Sequence, residues 1–133
     1  MVTPSRRGRR DNWTAALILR FPLARAVGFE CFRGWRPLLG RLLERLERAI
    51  AEQPPEAQAE FRIIQIKQKF GRLRVYLSTT ATPEMRAAID EAEEESIATC
   101  EVCSAPGRLA DRNGWTSVKC ADHENWSRLD GVF

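Results

Sequence analysis

Residues 99–123 read TCEVCSAPGRLADRNGWTSVKCADH, and the last third of the chain is arranged around three cysteines and one histidine within this stretch. Two residues separate Cys100 from Cys103, sixteen residues follow, and two residues separate Cys120 from His123. Each closely spaced pair lets a tight turn aim two ligands at one ion, and two such pairs complete a tetrahedron. Thiolates and an imidazole suit Zn²⁺ better than Mg²⁺ or Ca²⁺, which prefer oxygen. The sequence therefore predicts a zinc cofactor held by these four side chains.

The segment between the two ligand pairs predicts a β-hairpin. Arg108-Leu109-Ala110 and Trp115-Thr116-Ser117-Val118 flank Asn113-Gly114, which is a strong turn signal. We expect a zinc ribbon over residues 99–125, with the Trp115 side chain over the metal. Four protein ligands leave no open coordination position, so this pattern predicts a structural zinc rather than a catalytic one.

A second hairpin is predicted over residues 61–78, FRIIQIKQKFGRLRVYLS, with its turn at Phe70-Gly71. This turn sets a register that gives one largely apolar face, on which the pairs are Ile64 with Leu77, Ile66 with Val75, and Gln68 with Leu73. The other face pairs cations with cations: Lys67 with Arg74, and Lys69 with Arg72. Like charges opposite each other destabilise a sheet unless an anion lies over them. Two anions remain possible at this point, an acidic helix of the same chain or a nucleic-acid backbone.

Three helices are expected. The first lies near residues 12–20, and irregular packing follows it. The second opens at Gly34-Trp35-Arg36-Pro37, is stopped by Pro54-Pro55, and buries a stripe of Leu39, Leu42, Leu43, Leu46 and Ile50. The third has Thr82 as its cap and Pro83 in its first turn, and runs to about Ala98. It buries Met85, Ala88, Ile89 and Ala92, and its remaining surface is acidic.

Length and composition bound the architecture. The chain has 133 residues, of which 44% are hydrophobic and 29% charged, so a folded α+β domain is expected rather than wholesale disorder. The predicted division is a mobile basic tail (1–10), an α+β body (11–98), a zinc ribbon packed on the body (99–125) and a C-terminal tail (126–133). No stretch approaches the roughly 20 apolar residues of a spanning helix, and the early apolar run is too short for a secretion signal. We therefore expect a cytoplasmic protein without a membrane partner.

The residue inventory argues against an enzyme. There is no phosphate-binding loop, no dinucleotide fingerprint and no nucleophile elbow. The zinc deaminase pattern needs His-x-Glu ahead of a Cys pair, whereas His123-Glu124 is contiguous and follows one. Cys31 stands apart from the other cysteines, and the single His is assigned to the metal, so Cys31 is expected to be a small buried side chain.

Several blocks resemble a group of short proteins from phages, prophages and proteobacterial genomes. These blocks are Gly34-Trp35, QIKQKFGRLRVY at 65–76, TCEVCSAPG at 99–107, Trp115, and CADH at 120–123. The group carries a QxKEKFGxLRxY block ahead of a C-x-x-C-G…C-x-x-H tail. The resemblance covers residues 34–123 and implies a mobile-element setting and a zinc tail, but no catalytic residue. The chain departs from the pattern at Gln68, where Glu is usual, and at Ser104, where Gly is usual.

Two functions follow as expectations. The first is a non-enzymatic, zinc-containing binding protein that contacts a host or phage protein, for example as its inhibitor. The alternative is binding of DNA or RNA through the basic hairpin face, with the Arg-rich N-terminus contributing; the residues of that face are Lys67, Lys69, Arg72 and Arg74. The sequence leaves the identity of the partner and the oligomeric state open.

Overall fold

The computed structural model describes residues 13–25 and 27–126, and it has the expected α+β composition. Most of the two predicted tails lies outside these ranges. The elements follow in the order α1 (13–20), β1 (Gly28–Glu30), α2 (Arg36–Ala51), α3 (Pro55–Glu60), β2 (Ile63–Lys69), β3 (Arg72–Leu77), α4 (Pro83–Ser96), β4 (Arg108–Arg112) and β5 (Trp115–Lys119). Single 3₁₀ turns lie at Pro22–Ala24, Arg33–Trp35 and Ala121–His123. Among the helices described, none is long and apolar enough to cross a membrane.

Helix α2 forms the centre of the core. Its first turn contains Pro37. Proline suits this position because the N–H groups of a first turn have no partner within the helix, and proline has no N–H. The predicted leucine stripe is confirmed: Leu39, Leu42, Leu43 and Leu46 are buried, Ile50 is partly buried, and Leu38 joins them. Pro54 and Pro55 follow the end of this helix as expected. They also open the short helix α3, which the sequence did not predict, because proline suits the start of a helix as well as its end.

The register of the β2–β3 hairpin is confirmed over most of its length. The pairs from Gln65 with Tyr76 to Lys69 with Arg72 are as predicted. The prediction for Ile64 is wrong, because Ile63 rather than Ile64 pairs with Leu77. A β-bulge between Ile63 and Gln65 leaves Ile64 as an extra residue whose side chain faces outward. Ile63 is therefore 1% exposed and Ile64 is 54% exposed.

Strand β1 corrects the expectation of irregular packing after α1. It pairs in parallel with β2, with Phe29 beside Ile66 and Glu30 beside Lys67, and makes the first sheet three-stranded in the order β1-β2-β3. Strands this short have no readable alternation, so the pairing depends on contacts distant in sequence. The second sheet is the β4–β5 hairpin.

Helix α4 packs against α2 and β3. The Thr82 hydroxyl accepts a hydrogen bond from the Met85 N–H at 3.2 Å, which confirms the predicted cap. The helix ends at Ser96, two residues earlier than expected. The predicted apolar face is confirmed, since its four members are buried: Met85, Ala88, Ile89 and Ala92.

The acidic face of α4 neutralises cations of the body. Arg72 pairs with Glu94 at 2.9 Å and Arg74 with Glu93 at 3.3 Å, so for these two cations the acidic helix is the anion, the first of the two alternatives that the sequence left open. Arg45 of α2 pairs with Glu91 at 2.7 Å in the same way. Burial raises the pKa of Glu93, and Arg74 and Arg72 oppose that shift. The acidic face of α4 thus meets cations of both α2 and β3.

Candidate metal centre

The four predicted ligands come together. One ligand atom from each of Cys100, Cys103, Cys120 and His123 lies within 4.8 Å of all the others. The Cys103 and Cys120 sulfurs are 3.6 Å apart, and His123 Nδ1 is 3.2 Å from the Cys120 sulfur and 3.9 Å from that of Cys100. A tetrahedral zinc with ordinary bond lengths would place two sulfurs about 3.8 Å apart and a sulfur and a nitrogen about 3.5 Å apart. The cluster therefore has the size that a metal ion requires.

The first ligand pair lies on a tight turn after α4. The Cys100 N–H donates to the Ala105 carbonyl at 2.7 Å, and the Ser104 N–H donates to the Cys100 carbonyl at 3.0 Å. The Val102 N–H points at the Cys100 sulfur at 3.4 Å, which is a contact that favours a thiolate. Ser104 adopts φ 75°, the conformation for which glycine is favoured at this position.

The second pair is brought back to the first by the β4–β5 hairpin. Asn113 and Gly114 have φ 57° and 82°, as a two-residue hairpin turn requires, and the strands pair from Arg108 with Lys119 to Arg112 with Trp115. A single 3₁₀ turn then folds His123 onto Cys120, with the His123 N–H donating to the Cys120 carbonyl at 3.1 Å. The predicted hairpin between the ligand pairs is confirmed.

Trp115 does not lie over the ligands. It stands at the turn end of β5, whereas Cys120 follows the other end of that strand. The Trp115 side chain is 42% exposed and lines a groove together with Cys31 and Lys67. The sequence predicted the hairpin, but it did not indicate which side chains Trp115, the first residue of β5, would lie beside.

Glu101, between the two cysteines of the first pair, is a site residue that the sequence analysis missed. Its side chain is 1% exposed. The carboxylate accepts hydrogen bonds from the Val118 N–H at 2.7 Å and from the Gln68 amide at 3.3 Å. Burial raises the pKa of Glu101, and the bond from Val118, the charge of Lys119 and the bond from Gln68 oppose the rise. Gln68 can donate to this carboxylate, whereas a Glu at position 68 would repel an ionised one.

Gly34 and Trp35 join the site to the start of α2. The Gly34 N–H donates to the Glu101 carbonyl at 2.8 Å, and its own carbonyl accepts from the Ser104 hydroxyl at 2.6 Å. The buried Trp35 indole donates to the Thr99 carbonyl at 3.0 Å. A Cβ on Gly34 would lie 2.3 Å from the Cys100 carbonyl oxygen, so only glycine allows this close approach. These contacts, which we call the Gly34 latch, hold the first ligand pair against the body.

The thiols are unequal. Burial opposes ionisation of Cys120, but hydrogen bonds from His123 and the neighbouring thiols lower its pKa to about 7. Burial raises the pKa of Cys103 to about 11. Ionised sulfurs this close together repel one another, and a bound dication would compensate that repulsion for all three. The arrangement can therefore hold a metal ion, with all four side chains as its ligands.

No protein-family model, no curated protein and no solved structure matches the chain. What the site can bind is therefore inferred from the distances between its own ligand atoms.

Cys31 is not part of the metal cluster. Its side chain is partly buried, and burial, followed by the nearby charge of Glu101, raises the pKa of its thiol far above the ordinary value. Such a thiol is a poor nucleophile. The expectation that Cys31 is a small buried side chain holds in part, because the residue packs against the core but is only partly buried.

The four predicted basic residues of the hairpin divide into two pairs. Arg72 and Arg74 are matched by carboxylates of α4. Lys67 and Lys69 form no ion pair with any carboxylate in residues 13–25 and 27–126. The structure therefore does not present the four cations as one uncompensated patch.

Proposed function

We propose that the chain is a zinc-containing protein-binding module of a phage or another mobile element. It acts in the cytoplasm by contacting a host or phage protein, for example as its inhibitor. The four-ligand set supports a structural zinc, because three thiolates and one imidazole fill a tetrahedron and leave no position for a substrate. The β4–β5 hairpin between the ligand pairs supports a zinc-ribbon arrangement.

The observation that carries the binding proposal is the conformation of Phe70. This residue occupies the first turn position of the β2–β3 hairpin at φ 54°, and its side chain is 77% exposed. Asn or Asp is favoured at such a position, whereas a bulky side chain with positive φ is strained by about 1 kcal/mol or more. The exposed ring gains no burial that would offset this strain within the fold. Contact of the ring with a partner would offset it.

The metal-bound part of the chain supports this turn. A Cβ on Gly71 would lie 2.3 Å from Leu109 Cδ1, so the turn rests directly on β4. Leu109 is itself 40% exposed and extends the apolar surface beside Phe70. Lys69 precedes the turn without a carboxylate partner among the described residues. The surface therefore fits a partner that offers an apolar pocket with an acidic rim.

Replacing Phe70 with Asn separates stability from binding. We expect Phe70→Asn to raise the free energy of unfolding by about 1 kcal/mol, because Asn tolerates a positive φ. We expect the same variant to lose the partner, because the aromatic anchor is gone. Urea denaturation measures the first effect, and crosslinking of the zinc-loaded protein in a host extract, followed by mass spectrometry, measures the second.

Leu19→Gln is the matched control. It removes an apolar side chain that is 83% exposed on α1, away from the hairpin turn. A protein captured by the wild type and by Leu19→Gln, but not by Phe70→Asn, supports the proposal. Equal capture by all three, or none by the zinc-loaded wild type, contradicts it.

Nucleic-acid binding remains the second candidate function. Pairing of Arg72 and Arg74 with α4 removes half of the cations on which it was first based. Lys67 favours the candidate, because its ammonium has no carboxylate partner among the described residues and its side chain lines an aromatic groove. Affinity for DNA or RNA that falls steeply with salt is the expected result, and its absence at low salt with the zinc-loaded protein eliminates this candidate.

A further inference from the structure

A groove in the described part of the chain lies where α1, β1, β2 and β5 meet. Its volume is about 690 Å³, within the range of sites that hold small organic ligands. Four aromatic side chains form much of its wall: Trp13, Phe29, Phe32 and Trp115.

The aromatic wall is ordered but incompletely buried. The Trp13 and Phe29 rings meet edge to face, with centroids 5.8 Å apart and an angle of 67°. Both rings are partly exposed, as is Phe32, and Trp115 is 42% exposed. A core built from the same residues would bury them. Phe32 already contacts the Trp126 ring, with centroids 5.2 Å apart, so the groove offers mainly the ring surfaces of Trp13 and Phe29 and the exposed part of Trp115 to a planar ligand.

The charges of the groove complement a nucleotide. Glu30 and Lys67 lie side by side on neighbouring strands, yet the Glu30 carboxylate accepts its hydrogen bond from the Gln65 amide at 2.7 Å rather than from the lysine. The Lys67 ammonium therefore stays available to an external anion such as a phosphate. The Glu30 carboxylate can in addition accept from the exocyclic amino group of a base.

We propose that this groove binds a short segment of single-stranded nucleic acid, with its bases against the aromatic wall and a phosphate on Lys67. The proposal rests on the second candidate function and gives it a site. Base stacking on aromatic side chains needs unpaired bases, because those of a duplex already stack on one another. Along the chain, Arg6, Arg7, Arg9 and Arg10 shortly precede Trp13, which places further positive charge close in sequence to the wall.

A pair of lysine variants tests the groove itself. Lys67 and Lys69 lie two residues apart on β2 and carry the same charge, but only Lys67 lines the groove. The zinc-loaded full chain is titrated against labelled oligodeoxycytidine and oligocytidine of about twelve nucleotides, whose bases carry an exocyclic amino group, and against a duplex of that length, at low and moderate salt. Quenching of tryptophan fluorescence provides a second readout, since Trp13 and Trp115 both line the site.

We expect Lys67→Ala to weaken single-strand binding by about fivefold to tenfold, and Lys69→Ala by less than about twofold. Lys67→Arg keeps the charge and is expected to retain binding, which separates the role of the charge from a structural role. Trp115→Ala is expected to weaken binding by about tenfold through lost stacking. The thermal midpoint of each variant shows whether it folds. If Trp115→Ala does not fold, the comparison of Lys67→Ala with Lys67→Arg and Lys69→Ala still tests the groove.

The alternative results separate the two levels of the proposal. Equal losses in Lys67→Ala and Lys69→Ala would overturn the groove but leave nucleic-acid binding standing as a diffuse electrostatic effect. Equal affinity for duplex and single strand would likewise overturn the groove. No binding by the wild type at low salt would overturn both. A captured protein that depends on Lys67 and Trp115, in place of any nucleic acid, would reassign the groove to a peptide.

Discussion

We expect that removing the metal with a strong chelator, or replacing Cys103 with Ser, unfolds at least residues 99–125. Binding of a structural zinc contributes on the order of 10 kcal/mol, which is comparable with the whole stability of a small domain. The β4–β5 hairpin has only two strands, and a hairpin of that size is marginal without further support. A metal held by all four ligands would join the segment before β4 to the segment after β5, so its loss would remove the constraint that holds the two strands together.

Circular dichroism, the thermal midpoint and amide hydrogen exchange check this expectation. Protection of the amides at Val118 and Gly34 should disappear with the metal, because both pair with Glu101 in the first ligand turn. Cys31→Ser is the control, since it removes a thiol outside the cluster and should keep one zinc per chain. Unchanged dichroism and midpoint after complete metal removal would contradict the prediction, as would elemental analysis that finds no zinc in freshly purified protein.

Gly34→Ala is expected to destabilise the metal-loaded protein by about 2–4 kcal/mol. The added Cβ would meet backbone atoms of Cys100 and Glu101 at 2.3 Å, and backbone cannot move aside as a side chain can. The Gly34 latch would have to open, and with it the hydrogen bond to the Glu101 carbonyl.

Gly40→Ala is the matched control for that substitution. Gly40 lies within α2, and a Cβ there would meet nothing within 4 Å. Alanine is the better helix former, so this variant should gain up to about 1 kcal/mol. Urea denaturation of both variants with metal bound gives the comparison. Similar effects of the two substitutions would show that the latch contributes little.

The metal ligands and most hairpin pairs could be predicted because their signals are local. Two cysteines separated by two residues carry their geometry with them, and a turn at Phe70-Gly71 fixes the register of the strands beside it. The cap of α4 is local in the same sense, since Thr82 acts on an N–H three residues away.

The features that were missed depend on residues far apart in sequence. Ile63 and Ile64 are both apolar, and only packing decides which of them enters the core. Strand β1 forms because it can pair with the edge of β2, and its three residues alone carry no pattern that predicts a strand. In the sequence, Glu101 is only a charged residue between two cysteines. Its buried role depends on hydrogen bonds from Val118 and Gln68, which are distant in sequence.

The Gly34 latch joins the first third of the chain to the last. Trp35 is fully enclosed, and its indole N–H bonds to the carbonyl of Thr99, which the ribosome adds 64 residues later. A nascent chain that stops before this point leaves the start of α2 without its covering neighbours. We therefore expect the body to complete its folding only after the cysteine turn has left the exit tunnel, and chains truncated before Thr99 to be more readily proteolysed.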